Sequence, residues 1–545
     1  MSHCGAFVRA NSDSGSGMNR RRFLVSAAAI AGSGVLVACG GGSRQPVGPP
    51  RRGGRLTVAT GGAKGSDTVD PMLLNSVPVS FMARNLYGQL ADFSNDMKYT
   101  LQMAEAIESN AAGDEWTIRL RQGIEFHNGK TLDADDIVFT FQRTFSLPGA
   151  VTVGKFKTFV DMGGFTKLDA RTVRMKLLRP SSTFHTTLAS PFKIVPVGFD
   201  PNNPVGTGPF RYKNFTPNRQ WVLERFGNYW NGTGPAQDSD TPAPADLGPR
   251  PYVDELVVNV VNDDSARLNA LVTGQVDAIN LVQYAQIPTV AQRGELKLLE
   301  SKTGAWTGIY MNMATPPFND VRVRQALRLS LDREQALQSC LSGHGVVAHD
   351  LPEPFAPGYP AELTRHRDIE QAKSLLKQSG QAGVPLELVA GPVSTEAVSM
   401  CTVLANNAAE AGFNIKVRQV DTGTLFGPNF HSWQFSVDKW PAQGDFQTLT
   451  ALTDLSSSDL THMDAATRSE LQSLYEQAQH TTDPAKRDDI TKQMYQLEFD
   501  RGGWIIPFFP NVVNAYNEKT GGWPKNDFGG RTFGNGQFEQ VYLKG

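Results

Sequence analysis

The sequence predicts an α/β protein built from at least two lobes. Segments that alternate apolar and polar residues, typical of half-buried strands, are interspersed along the chain with segments of helical spacing. The chain has 545 residues, of which 40% are hydrophobic. That length exceeds what one hydrophobic core usually serves, so the apolar residues are expected to form more than one core.

Most predicted strands lie in the first half of the chain. Asn128-Gly129 is a typical hairpin turn between a strand and the next element. Thr131 or Asp133 is expected to cap the helix that follows. The predicted strands are residues 55–60, 116–121, 172–177, 210–212, 221–225, 256–261, 276–279 and, late in the chain, 504–509.

Most predicted helices lie in the second half. Each shows apolar residues at helical spacing, and several begin after an Asp or at a Pro that suits a first turn. The predicted helices are residues 80–90, the segment after Asp133, and residues 265–271, 321–337, 369–378, 397–410, 465–479 and 484–499.

Charge and cysteine content exclude some classes of protein. The formal net charge is −2, which provides no basic surface for nucleic acid. Four cysteines are too few for a disulfide framework. Cys340 and Cys401 either pair with each other in an oxidising compartment or are buried as small apolar side chains.

The N-terminal segment has the features of an export signal. Arg20, Arg21 and Arg22 precede an apolar stretch, residues 23–38, that is short for a membrane span and ends in small residues. Residues 19–24 resemble the twin-arginine export motif. Leu36-Val37-Ala38-Cys39 resembles a lipobox, which implies lipidation of Cys39 and a membrane anchor.

The chain is expected to divide as follows. Residues 1–39 form the leader and the lipoprotein signal peptide, and the features of the signal peptide begin at Met18. The Gly- and Pro-rich residues 40–53 form a flexible tether. Lobe one covers residues 54–270, with an inserted subdomain at about 72–203. Lobe two covers residues 271–500, and residues 501–545 return to lobe one.

Several short motifs, in this order, resemble the family 5 extracellular solute-binding proteins of peptide ABC importers. The most specific is residues 116–139, WTIRLRQGIEFHNGKTLDADDIVF. Asp70-Pro71, residues 206–210 (GTGPF), residues 274–277 (GQVD) and residues 318–326 (FNDVRVRQA) also resemble family motifs. The resemblance covers about residues 54 to 515.

The resemblance implies a two-lobe, periplasmic-binding-protein-like fold with an extra subdomain in lobe one. A peptide or peptide-like ligand would bind in the cleft, and closure of the lobes would bury it. The implied partners are the membrane subunits of an ABC importer. The protein would act as an exported monomer, on the periplasmic or cell-surface side, anchored to the membrane through Cys39.

Peptide-binding relatives have an Asp three residues after a Trp, and this Asp pairs with the ligand's amine. Trp440 matches the Trp, but Gln443 occupies the Asp position. Asp445 is therefore predicted as the ionic contact and Trp440 as an apolar wall. The other predicted ligand contacts are Tyr310 and Asn312, at the end of a strand, and Tyr87.

No pattern indicates a catalytic residue, a metal site or a cofactor. His127 is interpreted as a structural turn residue, and the loose group Cys340, His344, His349 and Asp350 matches no zinc spacing. Two alternatives remain open. One is the same fold with another ligand, such as a metal chelate, haem, an oligosaccharide or an opine. The other is a lipid-anchored enzyme or an extracytoplasmic chaperone.

Overall fold

The computed structural model describes residues 47–545, apart from 74–75, 95–97, 151–155, 158, 190–191, 237–238 and 525–535. Within these residues the strands gather into sheets of seven, five and four strands and three smaller sheets. The predicted export signal, including Arg20, Arg21 and Cys39, lies outside the described residues. No helix in the described ranges combines the length and apolar character needed to cross a bilayer.

The strands of the described residues are numbered in chain order. They are β1 Pro50–Arg51, β2 Arg55–Thr60, β3 Ala91–Phe93, β4 Tyr99–Leu101, β5 Ala104–Ser109, β6 Glu115–Leu120, β7 Phe165–Lys167, β8 Thr172–Lys176, β9 Phe210–Thr216, β10 Gln220–Arg225, β11 Glu255–Val260, β12 Ala278–Ile279, β13 Leu296–Ser301, β14 Trp306–Met311, β15 Gly345–Val347, β16 Pro385–Ala390, β17 Asn414–Gln419, β18 Phe435–Trp440, β19 Trp504–Ile505, β20 Phe508–Pro510, β21 Val512–Asn517, β22 Thr520–Gly521 and β23 Tyr542–Lys544.

The α-helices are numbered in the same way. They are α1 Val77–Leu86, α2 Ala134–Ser146, α3 Phe184–Thr187, α4 Asp264–Val272, α5 Ile287–Ala291, α6 Val321–Ser330, α7 Arg333–Leu341, α8 Ile369–Ser379, α9 Ala397–Glu410, α10 Thr422–Leu425, α11 Phe446–Leu452, α12 Ala465–His480 and α13 Pro484–Arg501.

Lobe one is built on the seven-stranded sheet, whose strand order is β13-β21-β12-β2-β11-β10-β9. The predicted first strand is β2, which pairs in parallel with both β11 and β12. Helix α1 packs on this sheet, and Phe81 and Leu86 are part of its buried core. Burial of Leu256, Val257 and Val258 on both faces of the sheet explains why β11 is a nearly continuous apolar run, whereas β2 alternates apolar and polar residues.

The inserted subdomain is the four-stranded antiparallel sheet β5-β6-β8-β7 with helix α2. Its separate core extends from Leu90 to Ile194, so the insertion starts after α1 rather than at residue 72. Helix α2 begins as the sequence predicts. The Asp133 side chain accepts hydrogen bonds from the first turn, and Asp136 completes a capping box.

Lobe two is built on the five-stranded sheet β17-β16-β18-β14-β19. One face of β14 and β18 packs on a core that includes α6 and α9, and the opposite face packs on α11, α12 and α13. These two layers of helix on a central sheet confirm the predicted α/β class.

The chain crosses between the two large sheets at different points from those expected. Strands β12 and β13 complete the seven-stranded sheet, so lobe one continues to Ser301 and not to residue 270. The return crossing lies between Pro510 and Val512, because β20 still pairs with β15 of lobe two, whereas β21 pairs with β13. Apolar alternation identifies a strand, but it does not specify which sheet the strand joins.

The helix predicted over residues 321–337 is two helices, α6 and α7. Asp332 interrupts it by accepting a hydrogen bond from the Gln335 N–H, 2.9 Å away, as the N-cap of α7. The Asp332 N–H is bound by the Asn407 side chain at 2.8 Å, so it takes no part in α6. A polar cap inside an apolar pattern therefore ends one helix and starts the next.

Candidate ligand-binding site

Trp440 lies at the end of β18, where the predicted ligand contacts begin. It is half-buried and stands opposite Trp306 of β14 in the antiparallel ladder. Asp438 and Ser436 share its face of the strand, and they stand opposite Gly308 and Tyr310. The end of β18 therefore presents an indole and a carboxylate side by side.

The rings of two tryptophans occupy the space over Gly308. The Trp306 and Trp504 ring centroids lie 4.9 Å apart, and Tyr310 packs 5.5 Å from Trp504. A Cβ on Gly308 would come within 2.8 Å of the Trp504 ring, so only glycine fits between these rings. This aromatic cluster is buried and forms the floor beneath Asp438 and Trp440.

Asp438 lies beside Trp440 in the candidate site and carries no signature in the sequence. Burial raises the pKa of its carboxyl from 3.8 to about 6. The ionisable side chain that acts on this carboxyl, among the described residues, is that of His431. A half-buried carboxylate next to aromatic rings favours a cationic partner.

The loop after Trp440 is fixed by Glu353, a second residue without a sequence signature. The Glu353 carboxylate accepts hydrogen bonds from the backbone N–H groups of Gln443 and Gly444, at 2.8 and 2.9 Å. Gly444 has φ +84°, a conformation that glycine adopts without strain. The Gln443 side chain donates to the Pro441 carbonyl at 3.0 Å. The loop therefore holds a defined shape beside Trp440.

Asp445 caps helix α11. Its carboxylate accepts hydrogen bonds from the N–H and the hydroxyl of Thr448, at 2.7 and 2.6 Å. The Thr186 hydroxyl of the inserted subdomain lies 3.4 Å from the same carboxylate. With both oxygens engaged, Asp445 has less capacity for a ligand ammonium than Asp438.

Residues 180–187 of the inserted subdomain contact lobe two beside this loop. The Ser181 hydroxyl donates to the Gln479 side chain at 2.7 Å, and the Ser182 hydroxyl donates to the Ala478 carbonyl at 3.0 Å. His185 lies between Tyr99 and Trp116, with ring centroids 4.8 and 5.5 Å away. Burial lowers the pKa of His185 to about 4, so this ring is neutral at neutral pH.

The structure does not bring the remaining predicted contacts to this loop. Asn312 follows the opposite end of β14, about 20 Å along the strand from the Trp306–Trp440 pair, and its side chain accepts the Ala314 N–H. Tyr310 is fully buried, with its hydroxyl 3.4 Å from the Phe430 carbonyl. Tyr87 lies in lobe one and donates to the Val69 carbonyl at 2.8 Å.

Tyr87 instead borders a cavity of about 890 Å³ in lobe one. The wall comes from the end of α1, the β3–β4 hairpin, the turn before β9, residues 229–236 after β10, and residues 537–539. Every wall residue belongs to lobe one, its inserted subdomain or the C-terminal return. This cavity is therefore separate from the loop after Trp440.

His127 and the loose His-Cys group have structural surroundings. His127 accepts the Gly206 N–H and donates to the Gly208 carbonyl at 3.0 Å, so it ties its hairpin to the turn before β9. His344 pairs with Glu300, whereas Asp350 pairs with Arg333 and Arg365. Among the described residues no group of three or more His, Cys, Asp or Glu side chains is arranged to hold a metal ion.

Cys340 and Cys401 carry free thiols in this structure. Cys401 is fully buried on α9, and burial raises its pKa far above the usual range. Both belong to the apolar core of lobe two, with Cys340 at its edge. Of the two roles expected from the sequence, this arrangement fits that of small apolar side chains.

Comparison with known proteins identifies the family. Residues 98–459, more than half of the chain, match the profile of the bacterial extracellular solute-binding proteins, family 5 Middle. The dipeptide-binding protein of Escherichia coli (strain K12) is 27% identical over 374 residues, which are 62% of this chain and 66% of that protein. The glutathione-binding protein GsiB of Salmonella paratyphi A is 24% identical over 486 residues, 85% of this chain and 91% of that protein.

The fold is also shared with solved structures. AgaA from A. tumefaciens R10, in complex with agropinic acid, has 22% sequence identity and a TM-score of 0.70. The superposition covers 90% of this chain and 99% of that one. It confirms the predicted two-lobe α/β fold. With the family match over residues 98–459, it follows that the chain belongs to the bacterial extracellular solute-binding proteins of family 5.

Proposed function

We propose that this protein is the solute-binding component of an ABC importer and captures a peptide-like ligand between its lobes. The observation that carries the proposal is the position of the loop after Trp440. It belongs to lobe two, it is fixed by Glu353, and it adjoins the residues of the inserted subdomain that contact lobe two. A ligand held there would touch both lobes, so its binding would favour the closed state.

Asp438 and Trp440 would bind the amino end of the ligand. The carboxylate would accept hydrogen bonds from the ammonium group, and the indole would cover the adjoining apolar atoms. The half-buried residues 442–444 would offer their carbonyl groups to the ligand's peptide bonds, because the N–H groups of Gln443 and Gly444 are already bound to Glu353. Asp445 would contribute indirectly, by holding α11 and the end of this loop.

A non-peptide ligand is the second candidate, and Gln443 favours it. This residue replaces the Asp that contacts the amine in the resembled peptide binders. The relatives also differ in the solutes that their names give, since one binds dipeptides, another glutathione, and the solved structure holds agropinic acid. The site would then recognise a cationic group that is not a peptide terminus.

The site of action would be outside the cytoplasm. The twin-arginine-like segment with Arg20 and Arg21 would direct export, and lipidation of Cys39 would anchor the monomer to the membrane. Residues 40–53 would then act as a tether that lets the folded part reach the importer's membrane subunits. Those subunits would recognise the closed form.

The test is a binding screen with the purified mature chain. Native mass spectrometry identifies the small molecule that copurifies, and calorimetry compares dipeptides, glutathione, an oligosaccharide and a metal chelate. We expect a peptide-like solute to bind, small-angle scattering to show compaction, and Trp440→Ala to weaken binding while Lys439→Gln, on the opposite face of β18, does not. Turnover of the solute, or binding without compaction, would contradict the proposal.

A further inference from the structure

A group of buried hydrogen bonds joins the inserted subdomain to lobe two at the end of helix α12. The Ser181 hydroxyl donates to the Gln479 side-chain oxygen at 2.7 Å, and the Ser182 N–H donates to the Gln479 carbonyl at 3.0 Å. The Ser182 hydroxyl donates to the Ala478 carbonyl, also at 3.0 Å. Ser181 is fully buried and Gln479 is 7% exposed, so water is largely excluded from these bonds. We call Ser181, Ser182, Ala478 and Gln479 the interlobe latch.

The orientation of the Gln479 side chain is fixed from within lobe two. The Thr491 hydroxyl donates its proton to the Arg487 carbonyl at 2.9 Å, so towards Gln447 it can only accept. The Gln447 amide nitrogen therefore faces Thr491, at 3.2 Å, and the Gln447 amide oxygen accepts from the Gln479 amide nitrogen at 2.7 Å. The Gln479 amide oxygen is left facing the inserted subdomain, where Ser181 supplies its donor. Lobe two thus holds this acceptor in place for the contact.

The inserted subdomain holds its side of the latch in the same way. The Ser181 N–H donates to the Gly113 carbonyl at 2.9 Å, which fixes the backbone of Ser181 on the turn between β5 and β6. The chain passes between the lobes at residues 302–305 and at residue 511, and neither crossing contributes an atom to the latch. A movement about these crossings can therefore part the latch without disrupting the sheet of either lobe.

The chemistry of the latch suits repeated opening. Its contacting groups are hydroxyls, amides and carbonyls, which replace their protein hydrogen bonds by hydrogen bonds to water at a small net change in free energy. An apolar contact would resist separation, because parting it exposes apolar surface to water. Polar contacts between two parts of one chain are typical of parts that move relative to each other.

We propose that the interlobe latch stabilises the closed state without a solute, and that Ser181 and Gln479 thereby set how long a captured solute stays bound. Every partner in the latch is a protein atom, so its bonds form whether or not a solute is present. The latch adjoins the loop after Trp440, because the Thr186 hydroxyl of the same subdomain segment lies 3.4 Å from the Asp445 carboxylate.

The effect on the solute follows from the order of events in release. A solute buried beside Trp440 leaves only after the lobes part, so each hydrogen bond of the latch adds to the barrier to dissociation. Ser181 and Gln479 are positioning residues, since they act on the solute through the closed state. This effect rests on the proposed function, whereas the stabilisation of the closed state does not.

The test is hydrogen exchange at the Ser182 N–H, whose bond to Gln479 crosses the interface. The mature chain is compared with Ser181→Ala and Gln479→Ala, alone and with saturating glutathione or Ala-Phe as probes. We expect each variant to lower the protection factor of this N–H about 5-fold or more, which corresponds to one lost hydrogen bond. A probe that binds should raise the protection factor in the wild type. Its dissociation rate, measured by stopped-flow fluorescence, should be about 5-fold or more higher in both variants.

Gln477→Ala is the matched control. Gln477 lies on the exposed face of the same helix, where its side chain donates to the Ser473 hydroxyl at 3.2 Å. It should leave the protection factor of the Ser182 N–H and the dissociation rate unchanged. The N–H groups inside α12 and β6 should keep their wild-type protection in every variant, because the latch opens without unfolding either lobe. Ser181→Ala removes a single hydroxyl, so it decides the question if Gln479→Ala does not fold.

Three results would overturn the proposal. They are wild-type protection of the Ser182 N–H in Ser181→Ala, simultaneous loss of protection throughout α12, and a bound probe that leaves both variants at the wild-type rate. If neither glutathione nor Ala-Phe binds, the proposed function is contradicted, and the exchange of the Ser182 N–H alone decides whether the latch stabilises the closed state.

Discussion

Asp438→Asn should change stability and binding in opposite directions. The substitution keeps the size of the side chain and removes its charge. Burial raises the pKa of Asp438 from 3.8 to about 6, so ionising it at neutral pH costs the folded state free energy. A shift of about two units corresponds to at most about 3 kcal/mol in the free energy of unfolding.

The sign of the pH dependence follows from proton release. Below pH 3.8 the carboxyl is protonated in both states, and it costs nothing. As the pH rises towards 6, the unfolded chain releases this proton first, so the folded state loses stability. Above that pH the cost is constant. Asp438→Asn should therefore be more stable than the wild type at neutral pH, and the gain should vanish near pH 4.

Ligand binding should respond in the opposite way. A hydrogen bond to a charged group contributes about 1.5–3 kcal/mol, so its loss should raise the Kd for an amine-bearing ligand about 10- to 150-fold. The wild-type affinity should fall as the pH drops through 6, where Asp438 becomes protonated, and the affinity of the variant should not.

Two measurements check this prediction. Urea unfolding at acid and at neutral pH gives the stability difference, and calorimetry over the same range gives the Kd. Lys439→Gln is the control, because it changes a charge on the opposite face of the same strand. Lower stability of Asp438→Asn at neutral pH, or an unchanged Kd, would refute the assignment of Asp438 as the ammonium contact.

Three further predictions concern other parts of the chain. Cys39→Ser should move the protein from the membrane to the soluble fraction, whereas Cys340→Ser should not; membrane retention of the first variant would contradict lipidation. Asp445→Ala should cost about 1 kcal/mol of stability through loss of the helix cap. Its Kd should rise much less than that of Asp438→Asn, and a rise of equal size would restore Asp445 as the ionic contact. Asp350→Asn should cost about 3–5 kcal/mol in urea unfolding, because it leaves Arg333 and Arg365 buried without their counter-ion. A loss below 1 kcal/mol would show that these arginines find other partners.

Local structure was largely predictable from the sequence. Strand β2 has the predicted bounds because its residues alternate cleanly between apolar and polar. Helix α9 has the predicted bounds because its helical pattern begins and ends at clear boundaries. The cap at Asp133 is confirmed, since an acidic residue before an apolar helical run is a local feature. The break at Asp332 was missed because the apolar spacing continues through it.

The candidate site was less predictable because its geometry depends on distant contacts. Trp440 could be found from a motif, but Glu353 reaches the same loop from 90 positions earlier in the chain. The capping role of Asp445 has one local indication, Thr448 three residues later, whose N–H and hydroxyl bind the Asp445 carboxylate.

Strand β21 has a consequence for how the molecule is made. It lies between β12 and β13, inside the seven-stranded sheet, yet it follows all five strands of the lobe-two sheet along the chain. A ribosome can complete the five-stranded sheet, residues 306–505, while those two strands still lack their shared neighbour. The sheet of lobe one therefore closes only after the residues of the five-stranded sheet have been synthesised, and until then β12 and β13 present open sheet edges to any chaperone or protease.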